Sequence, residues 1–264
     1  MDQLFGLKVL LSFLIAGFWI GGATLLAERL GSRIGGLVTN LPSTILIALL
    51  FVGLVHDAGF AARATRAVPV GMTIDTLFLT VFILTVRRGL TIALPLSLLT
   101  WFVLALTAAA IQGITFGVGI GLYLVVMLLT WSGLEFVLHI PARERNIRRY
   151  SSGALLIRVL FAGSVVGATV LLSGYVGEWW TGIFSTFPAV MLSSMCILTM
   201  VQGADFARAT GKVMVLASTN ILVYTAFVAL TYPALGLVLG TMTAFAAAAL
   251  WVVLLHPVVQ RLSL

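Results

Sequence analysis

Two prolines and one aspartate stand where an apolar chain should carry neither. Pro42 and Pro188 each fall inside a long apolar run, about two turns from one end. Polar residues crowd both of them: Thr39 and Asn40 precede Pro42 and Ser43 follows it, while Ser185 and Thr186 precede Pro188. A proline removes one backbone donor and clashes with the preceding turn. In hydrocarbon the carbonyls it frees need partners. Helices broken in this way, with polar groups at the break, build substrate sites in transporters made of inverted repeats. The plainer alternative is a proline kink whose hydroxyls bond back to the previous turn.

Asp75 is the only acid well inside an apolar run, within Gly71-Met72-Thr73-Ile74-Asp75-Thr76. An ionised carboxylate at that depth is costly unless paired or hydrated, so it reads as a site for a proton or cation. The alternative is a neutral carboxyl that hydrogen-bonds a neighbouring helix and holds the bundle together. Arg63 and Arg208 follow the second and seventh apolar runs in short amphipathic stretches. They are expected to cap helix carbonyls and anchor at head groups, or, on a sharper reading, to clamp an anion on each side of the membrane.

The elements that must position these residues follow from composition. Of 264 residues, 61% are hydrophobic and 9% charged, which no soluble domain matches. A crossing needs ~20 apolar residues. The chain divides into nine such runs: Leu4–Ala27, Gly35–Val55, Val68–Val86, Leu90–Ala110, Ile114–Leu138, Gly153–Val176, Gly182–Val201, Gly211–Leu230 and Ala234–Leu255. Each is expected to be a helix, because lipid offers the backbone no hydrogen-bond partner. The first run is too long for a cleaved signal peptide, and its stronger basic flank follows it. Small-residue pairs four apart, Gly17 with Gly21, Gly117 with Gly121, Gly163 with Gly167 and Gly236 with Gly240, predict close helix packing or a homodimer.

Charge sets the expected orientation. Lys8, Arg63 and Arg66 fall on one side. Arg29, Arg33, Arg87, Arg88, Arg143, Arg145, Arg148, Arg149, Arg208, Lys212 and Arg261 fall on the other, with Arg158 left over inside the sixth run. The positive-inside rule puts the larger group in the cytoplasm, the N-terminus outside and the C-terminus inside a prokaryotic cytoplasmic membrane. The basic stretch from Pro141 to Ser152 is then a cytoplasmic loop. The net charge of +7 lies in short loops and marks topology rather than nucleic-acid binding.

The chain also repeats itself. Gly22-Ala23-Thr24 returns as Gly167-Ala168-Thr169, Gly36 to Pro42 as Gly182 to Pro188, and Ala62-Arg63-Ala64-Thr65 as Ala207-Arg208-Ala209-Thr210, at an offset of 145 or 146. Asp75 then corresponds to Asn220. Residues 1–112 form one unit of four helices, 153–264 the second, and 113–152 a linker helix with the basic loop. Equivalent positions lie five helices apart, and five is odd, so the units are expected to point in opposite directions.

The glycine-to-proline pattern at Gly36–Pro42 and Gly182–Pro188, followed about twenty residues later by Arg-Ala-Thr, resembles the GlpM family of small bacterial inner-membrane proteins. The resemblance covers roughly residues 10–90 and 155–235 and omits the linker helix. It implies two such single units fused through that helix. The family's role is not well defined, and its pattern holds no acid at the position of Asp75, so that residue rests on its own chemistry.

The expectation is an all-helical polytopic membrane protein and a secondary transporter, proton- or cation-coupled, for a small polar or cationic solute. Thr39, Asn40, Pro42, Ser43, Asp75, Ser185, Thr186, Pro188 and Asn220 would form its midplane site. A channel and a lipid-phosphate flippase or envelope-assembly protein are the rivals, with Arg63 and Arg208 on head groups in the latter. An enzyme is not expected: there are no paired carboxylates, no phosphate-cradling loop and no nucleophile–base pair. No cofactor or metal is expected, since Cys196 stands alone and His56, His139 and His256 lack ligand spacing. Glu135 and His139, and the pair Trp179 and Trp180, are read as interfacial.

Overall fold

A computed structural model describes residues 3–29, 41–111, 113–141 and 151–263. Thr39 and Asn40, the arginines at 29 and 33, and nearly all of the basic loop lie outside the residues whose side chains are described. Among the described residues every regular element is helical. Seven of these segments are long and apolar enough to cross a membrane, and a shorter apolar helix joins them. The fold is that of a multi-pass membrane protein.

The first half holds α1 (Gln3–Arg29), α2 (Ser43–Val55), α3 (Ala58–Ala64), α4 (Val68–Thr85) and α5 (Leu90–Ala110). α6 (Phe116–Ser132) is the linker helix and ends in a π turn, Gly133–Val137. The second half holds α7 (Ser152–Ser173), α8 (Glu178–Ser185), α9 (Ala189–Gln202), α10 (Ala204–Ala217) and α11 (Thr219–Ser263). α11 is two arms joined at Gly236, whose φ of +75° is open to glycine and turns the chain back.

The observed spans differ from the apolar runs in three places. The third run begins earlier, since α3 and α4 join through a 3-10 turn into one apolar segment, Ala58–Arg88. The seventh run is broken between α8 and α9. The eighth and ninth merge into Ala204–Pro257, bent at Ser218 and at Gly236. Hydropathy averaged over a crossing does not register such breaks, because the few polar residues at each bend are outweighed by the apolar helices on either side.

α4 is the most enclosed span. Its polar residues look after themselves: the hydroxyls of Thr73, Thr76 and Thr80 each donate to the carbonyl one turn earlier, at 3.0, 2.9 and 2.7 Å. That arrangement lets polar side chains sit in a dry bundle without an orphaned donor. α5 and α6 flank α4 on one side. Gly119 of α6 lies so close to Pro69 that an added Cβ would sit 3.1 Å from its ring.

The first helix of each half, α1 and α7, pack together through small residues. A Cβ at Gly163 would lie 2.7 Å from the Phe13 carbonyl, and one at Gly21 would lie 2.9 Å from Val159. Two of the four glycine pairs are thus consumed inside the molecule. Gly117 and Gly121 have open space beside them. Across the halves, Gly182 of α8 rests on the backbone of Ala64, at the end of α3, with no room for a side chain.

Gly182→Ala should therefore destabilise the protein by ~1–3 kcal/mol through overpacking, while Gly117→Ala leaves it unchanged. Thermal unfolding of the two variants in one detergent checks this; equal midpoints would show that the α8–α3 contact is not close-packed.

Candidate functional site

The two prolines have the same local structure. Pro42 has φ −76° and ψ 58°, and Pro188 has φ −78° and ψ 49°. Each is the centre of an inverse γ-turn, in which the residue after it donates to the carbonyl of the residue before it. Ser43 N–H reaches Leu41 O at 2.7 Å, and Ala189 N–H reaches Phe187 O at 2.7 Å. The prolines do not sit inside continuous helices, as the apolar runs suggested; each is the N-cap of a new one. Thr186 and Phe187 form the interruption in the second half, closing α8 with turns onto Ile183 and Phe184. Thr169 of α7 adds a hydroxyl hydrogen bond of 3.3 Å to the Phe184 carbonyl.

α2 and α9 therefore begin in the middle of the bundle, and neither N-terminus has a side-chain cap. Leu46 and Leu192 N–H return to Pro42 and Pro188 O. The N–H groups of Thr44, Ile45, Val190 and Met191 are left without an acceptor among the described residues.

Both N-termini open on one cavity of about 100 Å³. Its lining unites Pro42, Ser43, Asp75, Thr186, Pro188 and Asn220. Asp75 is 2% exposed and accepts a 2.8 Å hydrogen bond from the indole N–H of Trp101 on Oδ1. Its Oδ2 has no partner among the described residues. One turn before it on the same face, Gly71 meets the Thr186 side chain with no space for a Cβ. α4 thus presses its acidic face on the break between α8 and α9. Trp101 is itself held by Phe184 and Phe187, with ring centroids at 5.9 and 4.8 Å.

The hydroxyls at the break do bond backwards. Ser185 donates to Gly182 O at 2.7 Å and Thr186 to Ile183 O at 2.8 Å. Ser185 is buried and stands outside the cavity lining. Ser43 donates to Leu41 O at 3.2 Å.

Arg63 and Arg208 are not at the cavity. Arg63 forms a 2.6 Å ion pair with Glu178 at the start of α8. Arg208 donates to the Ile83 carbonyl near the far end of α4, at 3.0 Å, and lies 3.7 Å from Asp205. Glu135 of the π turn is likewise engaged, holding Lys212 at 2.6 Å.

Arg158, set aside as a stray topology charge, belongs to the site. It is 4% exposed, lines the cavity from α7 and donates through Nη1 to Ser194 Oγ at 2.9 Å. Its position two turns into an apolar run carried the signal, since an intramembrane guanidinium is rarely idle. Ser218, at the α10–α11 bend, also lines the cavity and holds the Tyr123 hydroxyl of α6 at 3.0 Å. If the indole hydrogen bond helps hold Asp75, Trp101→Phe should cost ~1.5–3 kcal/mol with an ionised Asp75 and ~1 kcal/mol with a neutral one. Thermal unfolding checks it, and no change in midpoint would mean that the bond carries nothing.

The model of the family described as a protein of unknown function, DUF3147, matches residues 9–114 and again residues 155–261. No curated protein and no solved structure matches the chain. The two matched segments hold the two proline breaks, one each, and leave the linker helix between them. The chain belongs to the DUF3147 family, protein of unknown function, and carries the family's unit twice.

Proposed function

We propose that this protein is a secondary transporter of a small polar solute, built from two inverted repeats and coupled through Asp75. The observation that carries the reading is the convergence of both proline breaks, Asp75 and Asn220 on one cavity. Asp75 stands twelve residues from Arg63 and twelve from Arg87, so it lies ~18 Å along the helical segment from each of these two basic residues. That is the middle of a bilayer. A cavity there lined by helix ends and polar side chains has no structural purpose in a dry bundle, where it costs packing.

The inverted arrangement has its own support. Arg63 precedes the start of α4, and its repeat counterpart Arg208 bonds Ile83 at the other end of the same helix. Equivalent residues thus fall on opposite faces. Ion pairs also join the halves at both ends: Arg63 to Glu178 on one, and Arg87 to Asp205, at 2.8 Å, on the other. Rocking of one repeat against the other would open one end at a time. Each pair is exposed and worth no more than ~1 kcal/mol, weak enough to break in a transport cycle. With eleven basic residues on the side of Arg87, that face is cytoplasmic, the N-terminus is outside, and the membrane is a prokaryotic inner membrane. The likeness of the glycine-to-proline patterns to the GlpM family belongs to the same reading, each repeat being one such unit.

The lipid-handling reading has less behind it, because Arg63 and Arg208 are engaged with Glu178, Asp205 and the Ile83 carbonyl.

Two experiments test this. In liposomes carrying the purified protein, solute uptake driven by a proton or cation gradient should fall to background in Asp75→Asn, while the variant stays monodisperse; undiminished coupled uptake would remove Asp75 from the mechanism. In a Cys196→Ala background, a membrane-impermeant thiol reagent should label Asp57→Cys from outside and its repeat counterpart Gln202→Cys only from inside. Labelling of both from one side would end the inverted topology.

A further inference from the structure

Resting on the reading of this cavity as the transport site, we propose that the ion coupled to transport is a proton, carried on Oδ2 of Asp75, with Trp101 as the positioning residue that holds Oδ1. A metal cation and a purely structural carboxyl are the two readings it displaces.

The bond that Asp75 makes runs the wrong way for a structural carboxyl. A neutral carboxyl that tied two helices together would donate its O–H to an acceptor on the neighbour. Asp75 instead accepts, taking the Trp101 indole N–H on Oδ1 at 2.8 Å. Oδ2 has no partner among the described residues and is not closed off. The open space beside it is the cavity that Asp75 lines. The oxygen able to take a proton is thus the one that packing leaves unused.

A metal ion fits the same atoms poorly. Oxygen-bound cations gather about six ligands. Asp75 is the only carboxylate among the described residues that line the cavity, and the indole holds one of its two oxygens. No cluster of three or more acids, histidines or cysteines occurs among the described residues. A proton needs one oxygen, which is what the site offers. Asn220, the repeat counterpart, also lines the cavity and has no titratable group, so each cycle moves one proton.

The proton also removes a charge. Asp75 is 2% exposed and forms no ion pair among the described residues. An unpaired carboxylate in the middle of a membrane is costly, whereas the carboxylic acid is not charged at all. The proton arrives from water on one side as an O–H bond at Oδ2. It leaves to water on the other as that bond breaks, both electrons staying with the oxygen. Trp101 links this event to the interrupted helix. It is fully buried, and its ring lies against Phe184 and Phe187 at the break between α8 and α9. One side chain therefore touches both the proton carrier and the break.

The titratable and charged groups on the elements around Asp75 are few. α4 holds no other between Val68 and Thr85, and α5 holds none. α6 brings Tyr123, whose hydroxyl bonds Ser218. On α7, Arg158 lines the cavity and bonds Ser194. α8 carries Glu178, paired with Arg63. α10 carries Lys212, held by Glu135, and Arg208, beside Asp205. α11 brings Tyr224 and Tyr232, the second bonded to Thr241. Arg66, Arg87 and Arg88 stand at the two ends of α4.

The test is infrared difference spectroscopy of the purified full-length protein in nanodiscs as pH is raised, in sodium chloride and again in choline chloride. A protonated carboxyl has a C=O stretch well apart from the carboxylate bands. The wild-type protein should show such a band, sensitive to a heavy-carbon aspartate label, that disappears with rising pH at a single midpoint. That midpoint should be the same in sodium and in choline. Asp75→Asn should lack the band, and Asp57→Asn and Asp205→Asn should keep it, which assigns it even if the Asp75 variant fails to fold. Trp101→Phe should move the midpoint up by about one pH unit, because an N–H bond is stronger to a carboxylate than to the acid. An unmoved midpoint would remove Trp101 from the proposal. No protonated band at any pH, a band that never titrates, or a midpoint that falls as sodium or potassium is added would overturn the proton. A titrating Asp75 in liposomes where a pH gradient drives no uptake of amino acids, sugars or short amines would keep the proton carrier and remove the transporter. Uptake driven by a sodium gradient alone, with the band absent, would keep the transporter and remove the proton.

Discussion

The constraint on which the rest of this structure depends is the hydrogen bond that a backbone cannot find in lipid. Every span must be helical, and every interruption of a helix must be enclosed by protein. The two interruptions at Pro42 and Pro188 obey this. Each is closed by an inverse γ-turn that uses the carbonyl before the proline, and each is wrapped by the other half of the molecule. Gly182 and Gly71 are small for the same reason, since the interrupted segment must lie directly on α3 and α4. The same enclosure that protects the breaks creates a cavity between them.

That cavity is symmetric in backbone and asymmetric in charge. The prolines, their turns and the helix ends occur once in each half. The ionisable residues do not. At the 145-residue offset Asp75 corresponds to Asn220, and Arg158 corresponds to Phe13. Each half thus contributes one charge, of opposite sign, and a neutral counterpart. The duplicated helix ends give the cavity its symmetric frame, and the two charges, one from each half, break that symmetry. Exposed ion pairs join the halves at both ends of the molecule, Arg63 with Glu178 and Arg87 with Asp205.

Much of this was legible in the residues. Composition made the chain a membrane protein, and the recurrence of Gly36–Pro42 at Gly182–Pro188 marked both breaks before any coordinates. Pro42, Ser43, Asp75, Thr186, Pro188 and Asn220 could be grouped as one site because each is a polar or helix-breaking residue where lipid tolerates neither. Other positions were not legible. Ser185 carries the same hydroxyl as Thr186 and points away from the cavity, a difference of one residue around a helix end that no pattern records. Arg158 stood out by lying inside an apolar run, but its neighbours in sequence do not say what it meets; Ser194 and the cavity appear only in the folded chain. Trp101 and Tyr123 look like bulk in apolar helices, and the bonds to Asp75 and Ser218 appear only when α5 and α6 dock on α4 and α10.

The sequence by itself determined the class, the repeated unit and the residues that cannot be explained by packing, because hydrophobicity, helix breaking and charge are properties of residues in order along the chain. Only the tertiary structure decided that the two breaks line one cavity, that the hydroxyls of Ser43, Ser185 and Thr186 turn back to carbonyls, and that Arg63 and Arg208 serve ion pairs and a carbonyl. Those outcomes depend on which groups meet across helices far apart in sequence, and hydrogen-bond partners are settled by distance in space, not by spacing along the chain.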